Sequence, residues 1–90
     1  MTIGRHYFIS GRVQGVFYRD STQKKAAELG ITGWCRNTSD GRVECVAYGT
    51  EEQIKKLENW FWDGPPAADV NDIQSENIDP ENINIFEVRR

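Results

Sequence analysis

The dipeptide Asp40-Gly41 sits between two runs rich in β-branched and aromatic residues, 31–38 and 42–48, and that arrangement is among the strongest short-range hairpin signals. It predicts two antiparallel neighbouring strands in the middle of the chain. The other elements must be arranged around that pair.

Upstream, residues 6–10 (HYFIS) read as a strand that runs into Gly11. Thr22, Ala26 and Leu29 then recur at helical spacing, which predicts a helix over 21–29 with a capping-box start at Asp20 and Gln23 and a stop at Gly30. Downstream, Thr50 caps a second helix whose buried face is Ile54, Leu57 and Phe61, and Asp63-Gly64-Pro65-Pro66 ends it. Trp60, Phe61 and Trp62 are consecutive and cannot share one helix face, so at least one is expected near the surface. Weaker strands are expected over 68–73 and 84–88, with the polar stretch SENIDPEN between them as a surface loop.

The first six elements run β-α-β-β-α-β, so the expected class is α+β: a ferredoxin-like sandwich with two helices on one face of an antiparallel sheet. Ninety residues support one hydrophobic core, hence a single domain over 1–90. Hydrophobic residues at 38% supply that core and argue against disorder.

A net charge of -3 and a pI near 5.1 give no global positive field, so nucleic acid and anionic membranes are not expected partners. An anionic ligand would have to be caught by local geometry. No secretory pattern opens the chain and no apolar run reaches the roughly 20 residues of a membrane span, so the expected location is the cytoplasm. Cys35 and Cys45 lack CxxC spacing and histidine companions, which makes them small core residues before anything else. A three-residue turn would place them opposite one another and a two-residue turn would offset them, so a disulfide is left open. His6, the one histidine, is expected to be a packed or solvent-facing strand residue.

The segment with the clearest chemistry is GRVQGVFYR, residues 11–19. Gly11 and Gly15 permit backbone angles that turn amide N–H groups inward as an anion nest, and the helix that follows points its positive end at the same place. Arg19 closes the segment with a planar fork suited to two phosphate oxygens. Glycines also serve simply to turn a chain from strand to helix, and an arginine there is often a solvated charge. No Gly-Lys-Ser/Thr follows and the GxGxxG spacing is missing, so neither a Walker A loop nor a dinucleotide fold is indicated.

GRVQGVFYR closely resembles the first signature of the acylphosphatase family, GxVQGVxFR, departing from it at Tyr18 where phenylalanine is usual. GWCRNTSDGRVE, residues 33–44, resembles the family's second signature, and the likeness continues through Gly49 and Gly64-Pro65-Pro66 before fading after Ala68. The resemblance implies an enzyme that hydrolyses the carboxyl-phosphate bond of small acyl phosphates, with inorganic phosphate as product or inhibitor. It implies catalytic roles for Arg19 on the phosphoryl oxygens and Asn37 on the attacking water, with Gln14, Gly15, Val16, Phe17, Tyr18 and Arg19 forming the substrate-binding loop. Thr38 occupies a neighbouring position that often carries a hydroxyl.

Neither Asn37 nor Thr38 is a strong base, and the chemistry tolerates that. The leaving carboxylate is weakly basic, and a loose transition state asks mainly for in-line positioning and charge stabilisation on the equatorial oxygens. No metal and no cofactor are therefore expected, and the motifs hold no Asp, Glu or His at ligand spacing. The expected assembly is a monomer acting on a small molecule. Two other classes share the same features: a module that binds phosphate without turnover, including the acylphosphatase-like domain at the front of carbamoyl-transferring maturation proteins, and an RNA-binding module of the same topology. The acidic pI and the lack of an RNP1 pattern count against RNA.

Overall fold

Alternation along the central strands sorts side chains to the two faces of one sheet, and the computed structural model, which describes residues 1–89, shows what each face meets. On one face Tyr7 and Ile9 of β1 (Ile3–Arg12), Cys35 of β2 (Thr32–Asn37) and Val43, Cys45 and Ala47 of β3 (Val43–Gly49) are fully buried. They pack against Tyr18 and Ala26 of α1 (Tyr18–Leu29) and Ile54, Leu57 and Phe61 of α2 (Glu51–Asp63) in one continuous cluster. Both helices therefore cover the same face.

The sheet order is β4-β1-β3-β2-β5, with β4 at Asp69–Ile78 and β5 at Phe86–Val88. The first four strands form the expected antiparallel frame, and β5 adds a parallel edge beside β2. The hairpin between β2 and β3 forms around Asp40 and Gly41, with Thr38 N donating to Arg42 O at 2.8 Å and Cys35 directly opposite Cys45. Both cysteines are buried free thiols.

Three expectations change. The strand expected to end at 73 continues through Ser75, Glu76, Asn77 and Ile78, which pair with β1 as far as Gly4. A ladder on a sheet edge is held by main-chain hydrogen bonds, so polar side chains that face water do not stop it. The first helix begins at Tyr18, not at 21. Phe17 is its N-cap in the left-handed region (φ 64, ψ 27), with no side-chain cap, and its carbonyl accepts from Ser21 N at 3.0 Å. Asp20 consequently lies in the first turn, where an acid complements the helix dipole, and is not a cap. The second helix does carry the full capping box between Thr50 and Gln53. Of its three consecutive aromatics, Phe61 is buried and Trp62 is 52% exposed.

Candidate active site

The segment from Val13 to Arg19 is held from beneath by its own side chains. Val13 and Val16 are buried in the core, and Tyr18 is 1% exposed with its hydroxyl donating to the main-chain oxygen of Phe61 at 2.7 Å. Gln14 reaches sideways, its Nε2 donating to the carbonyls of Thr38 at 2.8 Å and Arg42 at 2.9 Å. With those four side chains turned inward, the segment presents outward its main chain, Arg19 and the residues Gly15 and Phe17. Both have positive φ, 73° and 64°. An added Cβ at Gly15 would meet nothing within 4 Å, so backbone angle and not space calls for glycine there.

Because α1 starts at Tyr18, its first N–H groups have no carbonyl four residues back to bond. Those donors and the helix dipole face a cleft of about 360 Å³ lined by Val13, Gly15, Phe17, Tyr18, Arg19, Asp20 and Asn37. Arg19, one residue into the helix, is half-buried, and its Nη1 donates to the main-chain oxygen of Arg89 at 2.8 Å. Asn37 ends β2 opposite Val43, and its Oδ1 is buried without a hydrogen-bond partner among the described residues. A buried carbonyl oxygen left unpaired costs free energy.

The structure thus brings Arg19 and Asn37, expected from two separate segments, to one cleft with Gly15, Phe17 and Tyr18. Gln14 and Val16 do not line it with their side chains. Thr38 does not either: its hydroxyl bonds Asp40 and the main chain of Arg42 within the hairpin. Hydrogen bonds from Arg42 and Thr38 pull the Asp40 carboxyl down to about 2, so the turn keeps its charge through most of the acid range. Burial pushes the Tyr18 phenol far above its ordinary value, which leaves it a neutral donor to Phe61. The contact between Arg19 and Arg89 spans 70 residues and has no local sequence signal. Among the described residues no group of three or more His, Cys, Asp or Glu side chains is placed to hold a metal ion, and no helix is long and apolar enough to cross a membrane.

The acylphosphatase family model matches residues 5–88, which takes in the cleft and both segments that build it. The chain belongs to the acylphosphatase family. It is 52% identical to an acylphosphatase of Nitrosococcus oceani over 81 residues, 90% of this chain and 91% of that one. A solved acylphosphatase from Coxiella burnetii superposes with a TM-score of 0.94 at 46% identity, covering 98% of this chain and 93% of the other. The acylphosphatase from Bacillus subtilis gives 0.95 at 30% identity, covering 98% and 99%. These likenesses extend over the ferredoxin-like frame as a whole.

Proposed function

We propose that this acylphosphatase hydrolyses acyl phosphates with Arg19 and the main-chain N–H groups of residues 14–19 binding the phosphoryl group and Asn37 orienting the attacking water. The observation that carries the assignment is the shared cleft: Arg19, the uncapped start of α1 and Asn37, drawn from two separate segments, line one small volume.

Each group has a distinct task. The amides and Arg19 hold the phosphoryl oxygens and stabilise charge on them as the bond to the carboxylate lengthens. The Asn37 side-chain amide binds water and fixes it in line with that bond. The departing carboxylate needs no proton from the protein, so the reaction runs without a metal or other cofactor. Inorganic phosphate, the product, occupies the same cradle and inhibits. The reading also takes the chain as one domain, built on a single core cluster, and as a cytoplasmic monomer.

Benzoyl phosphate supplied to the purified protein in the presence of EDTA tests the assignment. Turnover that persists with the chelator supports it, and no turnover with or without chelator overturns it.

A further inference from the structure

The aromatic ring at the mouth of the cleft is turned largely to solvent and stands outside the buried core. Phe17 is 77% exposed and is the one non-glycine residue with positive φ among the described residues. A bulky side chain in the left-handed region costs about 1–2 kcal/mol, and Phe17 makes no side-chain cap in return. Glycine would serve the turn better, as Gly15 does two residues earlier. The ring nevertheless stands in strained backbone on the rim of the cleft that holds Arg19 and Asn37.

The phosphoryl end of a substrate is drawn to the amides and Arg19 at the floor of the cleft, so its acyl group must leave by the mouth, where Phe17 stands. We propose that Phe17 is the specificity-determining residue for the acyl group, packing its ring against aromatic or bulky apolar acyl chains. This rests on the acyl phosphate reading above. The substrate class is then acyl phosphates with an apolar acyl chain large enough to cover the ring, with acetyl phosphate a poorer substrate.

The test compares the wild type with Phe17→Gly and Phe17→Leu on benzoyl phosphate and acetyl phosphate. Both variants keep the main-chain N–H, so the readout is the ratio of kcat/KM for the two substrates. Phe17→Gly lowers the benzoyl-to-acetyl ratio about 10-fold, an aromatic contact with its buried area being worth about one decade, and Phe17→Leu retains part of the preference. Thermal unfolding of Phe17→Gly occurs no lower than in the wild type, because the strain is relieved. A ratio unchanged by Phe17→Gly overturns the proposal even where both rates fall, since the ring would then serve the loop and not the acyl group. A wild type that turns over neither substrate instead overturns the hydrolase reading on which the proposal stands.

Discussion

The side-chain amide of Gln14 binds the main-chain oxygen of Arg42 at 2.9 Å, and through it the β1–α1 loop is tied to the β2–β3 hairpin. A second bond from the same nitrogen reaches Thr38 O at 2.8 Å. Asn37 precedes Thr38, so the nitrogen of Gln14 ties the proposed phosphate cradle to the proposed water-orienting residue. Two segments far apart in sequence behave as one site because of this stitch.

Replacing Gln14 with alanine therefore lowers kcat more than it lowers stability. Thr38 O and Arg42 O keep other donors, from Gly41 N and Thr38 N, so neither carbonyl is orphaned and the loss is about 1–2 kcal/mol for two neutral hydrogen bonds. The hinge it frees lets Asn37 drift from the in-line position, and kcat falls about 10- to 100-fold. Urea unfolding and steady-state kinetics on one preparation separate the two effects. A kcat within twofold of wild type would show that the stitch does not position the site.

Asn37→Ala carries an opposite signature. Its Oδ1 is buried and unpaired, so its removal relieves a desolvation cost and stability is unchanged or slightly raised. With no group left to orient water, kcat falls about 100-fold while inhibition by inorganic phosphate, which depends on Arg19 and the amides, changes little. A destabilised Asn37→Ala variant with normal kcat would assign the side chain to the turn instead.

Local signals carried the sequence reading far, and its gaps have physical causes. The Asp40-Gly41 turn, the Thr50 capping box and the Gly30 stop are decided within a few residues, and each appears as expected. Asp20 satisfies a capping pattern in type, yet Phe17 in a strained conformation takes the cap because Val16 and Tyr18 both plug into the core. The extension of β4 has no local sequence signal, because a main-chain ladder on a sheet edge tolerates polar side chains that face water. The sequence motifs point to Arg19, Asn37 and Gly15, which share the candidate cleft, whereas the tethers from Gln14 and to Arg89 depend on folds of the chain that no spacing encodes. The cysteine question resolves through register, since Cys35 and Cys45 are directly opposed and both are free thiols.

Tyr18, the one departure from the first family signature, has a structural use. Its hydroxyl donates to Phe61 O inside the core, joining the start of α1 to α2. Tyr18→Phe keeps the ring but leaves that carbonyl without its buried donor, and unfolding free energy drops by about 1–2 kcal/mol. Denaturant unfolding checks this, and an unchanged midpoint would mean that the ring alone carries the contact.

Stability at acid pH should depend on Glu44, which lies on the sheet face away from the helices and is 9% exposed. Burial by itself raises its carboxyl, but hydrogen bonds from His6 Nε2 and Arg36 Nε, each at 2.7 Å, outweigh it, and the group ends below the ordinary value of 4.5. A carboxyl lowered by folding stabilises the protein above its unfolded value, and the contribution is lost as pH falls through the folded one. Asp40 is held down to about 2, but it is fully exposed and solvent screens its bonds, so it adds little. Glu44→Gln should then be less stable than wild type near pH 6, with the difference shrinking steadily below about pH 4.5 as Glu44 protonates in the wild type. Asp40→Asn should follow the wild-type curve closely. Urea denaturation from pH 3 to pH 7 measures all three, and a Glu44→Gln deficit that stays constant across that range would show that the His6–Glu44–Arg36 cluster acts through packing and not through charge.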